Sequence, residues 1–82
     1  RMIRSIQIRA ARILLGWKQK DLADAAGVSI PTIQRMEING PERSSAGNVE
    51  KVQKSLEYAG VIFIDEDDDA GVGVRLRKPS TD

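Results

Sequence analysis

The stretch Gln19–Ile38, QKDLADAAGVSIPTIQRMEI, decides the fold because it contains two short helical patterns with a turn between them. Apolar residues on each side of the turn recur at the spacing that places them on one face of a helix. The inner positions are Leu22, Ala23 and Ala26 in the first pattern and Ile33 and Met36 in the second. We therefore predict two short amphipathic helices joined by a tight connection.

The connection carries the residues that a sharp turn between helices requires. Gly27 can adopt the left-handed conformation that ends a helix, and Val28 can then fold back under both helices. Ser29 is placed to cap the second helix, since its hydroxyl can accept a free backbone N–H of the first turn. Pro31 suits that first turn, where a missing backbone donor has no effect. The sequence therefore predicts a helix, a glycine turn and a capped second helix.

This pattern resembles the lambda-repressor-like (Cro and XRE type) helix-turn-helix DNA-binding domains. The matching residues are Gln19, Leu22-Ala23, Gly27-Val28-Ser29, Ile33, Met36-Glu37 and Asn39-Gly40, and the resemblance spans roughly Ile3 to Gly60. It implies a mainly α fold, a helix-turn-helix bundle of about four helices, in which the second helix of the motif (residues 30–38) enters the DNA major groove. An ordinary helical hairpin whose small residues simply pack together is the alternative.

The helices on either side of the motif follow the same rule of spacing. A first helix has an apolar stripe that we expect to face the core, and Gly16 ends it. The stripe consists of Ile3, Ile6, Ala10, Ile13, Leu14 and Trp17, while Ile8 and Leu15 lie off it and either widen the buried face or contact another chain. A fourth helix runs to about Ala59, with Val49, Val52, Leu56 and Ala59 on its inner face. For Trp17, core packing is favoured over a role as a ligand platform.

Length and composition limit the classes of function. A chain of 82 residues can bury one modest core, so we expect a single small domain. The absence of cysteine and histidine argues against a disulfide framework, a metal site and an enzyme, and we expect no cofactor. No apolar run approaches the ~20 residues that span a bilayer and no signal peptide is visible, so cytoplasmic residence fits. The acidic run from Asp65 to Asp69 lacks the glycine and the glutamate of a calcium-binding loop.

Charge is distributed unevenly along the chain. Residues 1–54 carry ten basic and five acidic side chains, a net charge of +5, whereas residues 55–82 carry three basic and seven acidic ones, a net charge of −4. A basic portion that contains the predicted motif suits neutralisation of DNA phosphates, and the acidic remainder is expected to point away from the DNA. A solvated charged surface with no nucleic-acid partner is the alternative.

The resemblance implies roles for individual residues. It pairs Arg12 with Glu37 in a buried ion pair, the alternative being two unrelated surface charges. Base-edge contacts would come from Ile30, Pro31, Thr32, Gln34 and Arg35, with arginine suited to guanine, glutamine to adenine and the apolar side chains to a thymine methyl group. Many relatives carry glutamine or serine at the first two of these positions, which favours methyl contacts here. Thr32 could equally bond a phosphate, and each of the five could also be plain helix surface.

Phosphate contacts are expected from segments next to the recognition helix. Lys18 and Gln19 begin the first helix of the motif, where free backbone N–H groups can hold a phosphate. The remaining DNA-binding residues are Ser29, which caps the recognition helix, and the loop residues Arg43, Ser44 and Ser45. Ser44 or Ser45 is also expected to cap the fourth helix.

After Gly60 the pattern changes from helical to extended. The first β-rich segment is Val61, Ile62, Phe63 and Ile64, and in the second Val72, Val74 and Leu76 alternate with glycine and arginine. These segments predict a C-terminal β-hairpin around a charged loop. A two-stranded ribbon that is apolar on both faces needs cover, so we predict that residues 61–78 dimerise the protein. Packing of the hairpin on the chain's own helices, in a monomer, is the alternative.

Two classes of function follow. The first is a sequence-specific transcriptional regulator, a repressor that binds double-stranded DNA at a short palindromic operator as a homodimer. The second is an antitoxin-type module that binds DNA and also grips a toxin or another protein partner through the hairpin or tail. The chain accordingly divides into a DNA-binding domain (residues 1–60), the hairpin (61–78) and a flexible tail (79–82).

Overall fold

A computed structural model describes residues 2–79, so Arg1 and residues 80–82 of the predicted tail lie outside the described part. Within it the chain forms four α-helices and a two-stranded antiparallel sheet, which confirms the predicted mainly α bundle with a C-terminal hairpin. The elements are α1 (Ser5–Leu14), α2 (Gln19–Ala26), α3 (Ile30–Asn39), a 3₁₀ turn (Pro41–Arg43), α4 (Ala46–Tyr58), β1 (Val61–Ile64) and β2 (Gly73–Leu76). None of these helices is long and apolar enough to cross a membrane.

The turn between α2 and α3 is built as predicted. Gly27 has a φ of 71°, in the left-handed region, and its N–H donates to the Ala23 carbonyl at 2.9 Å. The Val28 N–H donates to the same carbonyl at 3.1 Å, which folds the chain back beneath the helices. Ser29 caps α3, because its Oγ accepts the backbone N–H of Thr32 at 3.2 Å. These bonds fix the angle at which α3 leaves α2.

One hydrophobic core lies where the helices and β1 meet. The large side chains of Leu22, Ile33, Met36 and Leu56 are fully buried in it, as the spacing within α2, α3 and α4 predicts. The other members are Ile3, Ile8, Ala11, Ala23, Ala26, Val49, Val52 and Val61. Trp17 is half-buried and packs against this core. Burial of each large apolar side chain contributes roughly 1.5–3 kcal/mol. The buried side chains of Leu22, Ile33 and Met36 therefore hold α2 and α3 together.

The first helix turns a different face to the core from the one predicted. Ile6 and Ile13 of the predicted inner stripe are 58% and 66% exposed, and Leu14 is exposed as well, so the prediction was wrong for these three residues. Ile3 is buried and Trp17 packs against the core, as predicted. The inward side instead carries Gln7, Ile8, Ala11 and the partly buried Leu15. Apolar residues occupy more than half of the circumference of α1, and both stripes have helical spacing, so periodicity alone could not choose between them.

A buried glutamine links α1 to the hairpin. The side-chain amide of Gln7 donates to the carbonyl of Ile64 at 3.2 Å and to that of Gly73 at 3.0 Å, one on each strand. Its Oε1 accepts the backbone N–H of Arg4 at 2.9 Å. A buried amide needs such partners, and these three also hold the hairpin against the start of α1. The Arg4 guanidinium adds an exposed ion pair to Glu66 in the loop between the strands, at 2.9 Å.

The hairpin turns one face to the chain's own helices. In the register of β1 and β2, Val61 lies opposite Leu76 and Phe63 lies opposite Val74. Val61 belongs to the core, and Phe63 and Val74 pack against it. Ile64 is exposed. The hairpin therefore packs on the chain's own helices, which is the alternative that the sequence left open. A second copy of the chain could contact only the part of the hairpin surface that is still exposed.

Candidate nucleic-acid interface

The solvent-facing side of α3 is formed by residues one and two turns apart. Ile33 and Met36 turn inward and are fully buried, which directs the opposite side of the helix outward. The outward side carries Ile30, Pro31, Gln34, Arg35, Ile38 and, at the last position of the helix, Asn39. Four of the five predicted base-contacting residues therefore share one exposed face.

Ile38 was given no role by the sequence analysis, although its spacing could have revealed it. It follows Gln34 by four residues and Ile30 by eight, so all three lie on one line along the outer face. Ile38 is 78% exposed and Ile30 is 38% exposed. The outer face is therefore longer and more apolar than predicted.

Thr32, the fifth predicted base contact, does not reach that face. It is 7% exposed, and its Oγ1 lies 2.9 Å from the Ser29 Oγ within the cap of α3. The Arg35 guanidinium also donates to Thr32 Oγ1, at 3.5 Å. The hydroxyls of Ser29 and Thr32 thus fix the start of the helix. The polar side chains on the outer face are therefore those of Gln34, Arg35 and Asn39.

A buried ion pair ties the end of α3 to α1. Arg12 Nε and Nη2 donate to the two carboxylate oxygens of Glu37 at 2.7 and 3.0 Å, a bidentate arrangement. The two side chains are 16% and 2% exposed. Hydrogen bonding to Glu37 raises the pKa of the Arg12 guanidinium, while burial acts in the opposite direction. The third guanidinium nitrogen donates to the Trp17 carbonyl at 3.1 Å, so Arg12 also fixes the connection that follows α1.

The start of α2 joins this cluster. Gln19 Nε2 donates to Glu37 Oε1 at 3.1 Å, so the amide predicted to meet a DNA phosphate also holds α2 against the end of α3. Lys18, the residue before α2, is exposed, and its backbone N–H donates to the Asp21 carboxylate at 2.7 Å. A phosphate approaching the start of α2 would meet the exposed Lys18 ammonium, while the Lys18 backbone N–H is already occupied by the Asp21 carboxylate.

The loop after α3 contains the other predicted phosphate contacts. Arg43 is exposed at the end of the 3₁₀ turn. Ser45 caps α4, because its Oγ accepts the backbone N–H of Asn48 at 3.1 Å, and Ser44 is half-buried. Arg43 therefore offers this loop's exposed cation, while the Ser45 hydroxyl is engaged at the helix start.

A glycine turn, a capped second helix with an exposed outer face and cations in the adjoining segments define a DNA-binding domain of the helix-turn-helix class. The chain belongs to the Cro/C1-type helix-turn-helix family. That family's model, described as helix-turn-helix, matches residues 8–59, more than half of the chain. No curated protein and no solved structure matched the chain. The matched range begins within α1 and stops before the hairpin, and the family supports a DNA-binding regulator.

Proposed function

We propose that this protein is a sequence-specific transcriptional repressor that binds a short palindromic operator as a homodimer. The observation that carries the proposal is the outer face of α3, which is exposed on a helix whose inner side is locked in the core. A helix about 10–12 Å across fits the ~12 Å width of the major groove. Gln34 and Arg35 supply donors suited to adenine and guanine edges. Occupying the operator is sufficient for repression, and no catalytic step is required.

Phosphate contacts are assigned to the segments that adjoin α3 in the sequence. The residues are Lys18, Gln19, Ser29, Arg43, Ser44 and Ser45. Lys18 and Arg43 contribute charge, whereas Gln19 would use the amide N–H that Glu37 does not engage. The net charge of +5 in residues 1–54 supports this assignment, because phosphate neutralisation supplies most of the sequence-independent part of DNA affinity.

The dimer is assigned to the outer side of the hairpin and the adjoining side of α1. Val61 and Phe63 already pack within one chain, so the second copy would cover apolar groups other than these two. A groove between α1 and β2 is lined by Ile6, Gln7, Ala10, Val72, Gly73 and Val74, and Ile64 and Leu76 are exposed on the strands. A two-fold axis through this surface would present two copies of α3 to two half-sites.

Selection of bound fragments from random duplexes tests the proposal. Enriched fragments should contain an inverted repeat whose half-sites are about one helical turn (~34 Å) apart. Sedimentation equilibrium at micromolar concentration should give twice the 9.0 kDa mass of one chain. A 9.0 kDa species that binds a single half-site would eliminate the dimer. Failure to enrich any sequence would eliminate sequence-specific binding.

A protein-binding role in the manner of an antitoxin is the second candidate. It is favoured by a groove between α2 and α4 that DNA binding by α3 does not use. The groove has a volume of about 780 Å³ and is lined by Trp17, Ala25, Ala26, Lys51, Lys54, Ser55, Tyr58 and Ala59. Purification of the chain from native extract separates the two functions, because a stoichiometric second protein is expected only for the second.

A further inference from the structure

We infer that the groove between α2 and α4 binds an acidic amphipathic helix of another protein. The apolar residues of that helix enter the groove, and its carboxylates meet Lys51 and Lys54 at the rim. The inference rests on the protein-binding role, the second candidate function, and is independent of whether α3 binds DNA. Three features of the groove support it: its apolar lining, the sign of its charges and the helices that form its walls.

The lining of the groove is mostly apolar. It combines two aromatic rings, those of Trp17 and Tyr58, with the small side chains of Ala25, Ala26 and Ala59. Tyr58 is 93% exposed, so its ring adds little to the core, and Trp17 is only partly buried. Exposed aromatic side chains are typical of protein-binding surfaces, where tyrosine and tryptophan carry much of the binding energy. Apolar side chains of a partner can therefore cover both rings.

The charged residues that line the groove are both lysines. Lys51 and Lys54 lie one turn apart on α4, on the side of the helix that also carries Tyr58. Lys54 approaches Glu50 only to 3.8 Å and is 70% exposed, and within residues 2–79 Lys51 has no ion-pair partner. Cations beside an apolar groove attract a partner that carries carboxylates at the matching positions, and they repel a basic one. The groove therefore favours an acidic partner.

The walls of the groove favour a helix over an extended segment. Its lining residues come from α2, α4 and the positions next to helices, so they offer no strand edge. The backbone groups of an extended peptide would lose water there without gaining new partners. A helix satisfies its own backbone and can present apolar residues at i, i+3 or i+4, and i+7. The α4 side of the groove extends from Lys51 to Ala59, ~12 Å, which matches about two turns of a bound helix.

The described part of the chain offers no helix of this kind. The acidic loop between β1 and β2 is held at the start of α1, because Glu66 pairs with Arg4 at 2.9 Å. Both α1 and α3 leave isoleucines exposed, but their exposed charged residues are Arg9 and Arg35. A second copy that inserted either helix would bring like charges to the lysines of the groove. The acidic helix must therefore come from another protein.

Selection from a library of helical peptides tests the inference with the full chain. The library uses a tryptophan-free scaffold of ~18 residues, long enough to form a helix in isolation, and varies one face and its flanks among leucine, alanine, glutamine, glutamate and lysine. Enriched peptides should carry leucine at helical spacing with glutamate beside it. Trp17 is the only tryptophan of the chain and lines the groove, so binding of these peptides should shift its fluorescence to shorter wavelength.

Variants of the groove identify the groups that bind the enriched peptide. Replacing Lys51 and Lys54 together by glutamine should raise its Kd about two- to thirtyfold, the loss of two exposed ion pairs. Tyr58→Ala should raise Kd about tenfold, because the ring loses its contact with the peptide. The matched control replaces Lys20 and Lys78 by glutamine, which removes the same charge outside the groove and should leave Kd unchanged. The three groove side chains are exposed, so these variants keep the core intact.

Three results would overturn the inference. The first is a selection that enriches no peptide, or enriches basic and neutral peptides as well as acidic ones. The second is a shift of the Trp17 fluorescence that depends on protein concentration alone, which would identify a second copy as the occupant. The third is a double lysine variant that binds the peptide normally but binds DNA more weakly, which would assign the lysines to phosphates. The peptide measurements contain no DNA, so a failed search for an operator leaves them valid.

Discussion

Replacing Glu37 by alanine is expected to lower the free energy of unfolding by about 3 kcal/mol, because the Arg12 guanidinium loses its counter-ion. Glu37 accepts two hydrogen bonds from Arg12 and one from Gln19. Removing one partner of a buried pair costs about 3–5 kcal/mol, and the lower end applies because Arg12 is 16% exposed and can regain some hydration. Folded domains are stable by only about 0.05–0.15 kcal/mol per residue, so this loss is a large part of the total.

A surface ion pair in the same molecule provides the matched control. Lys20 and Asp24 approach to 2.8 Å, much like Arg12 and Glu37, but their side chains are 70% and 67% exposed. Asp24→Ala should therefore have a far smaller effect, because solvent screens the pair. Replacing Arg12 by methionine and Glu37 by leucine together should recover most of the stability lost in Glu37→Ala, since no buried charge is left without a partner.

Urea denaturation followed by circular dichroism measures these differences, provided that the denaturant slope stays constant among the variants. A loss for Glu37→Ala no larger than that for Asp24→Ala would refute the argument from burial. A double variant as unstable as Glu37→Ala would refute the argument from the unpaired guanidinium.

Three further substitutions test the hairpin and the DNA contacts. Gln7→Leu removes three hydrogen bonds and should destabilise the protein by about 1–3 kcal/mol; hydrogen exchange should accelerate first in β1 and β2, and unchanged exchange there would contradict the linking role. Arg35→Ala should weaken binding to the selected operator by about 1–3 kcal/mol and spare random DNA, and an equal loss on both would exclude base recognition. Arg43→Ala should weaken binding to every sequence and reduce the slope of log affinity against log salt concentration by about one, the value for one lost phosphate contact. An unchanged slope would argue against a phosphate contact.

The helix-turn-helix could be predicted because its determinants are local. Gly27 adopts positive φ, Ser29 caps the helix that follows, and the inner positions of α2 and α3 are set by spacing within each helix. Each of these features depends on residues within a few positions of one another. The family resemblance added the partner of Arg12, which lies 25 residues away and which no local pattern indicates.

The orientation of α1 could not be predicted because it depends on a distant segment. Gln7 is polar and was left out of the inner stripe, yet it is buried by hydrogen bonds to Ile64 and Gly73, 57 and 66 residues away. With Gln7, Ile8 and Ala11 on the buried side of α1, Ile6 and Ile13 face solvent. The burial of Thr32 could not be predicted either. Its position in the sequence predicts an exposed side chain, but its hydroxyl bonds to the Ser29 hydroxyl in the helix cap.

The recognition helix depends on its neighbours for its shape as well as its position. It has ten residues, and an isolated helix shorter than ~12–15 residues is only marginally stable in water. Ser29 fixes its start, and Glu37 fixes its end by bonding to α1 and α2 at once. The conformational entropy that α3 loses when it becomes ordered is therefore lost during folding, and DNA binding does not have to offset it. A Glu37 variant that still folds should consequently bind the operator more weakly than its remaining folded fraction predicts, because the loosened end of α3 must be ordered again in each complex.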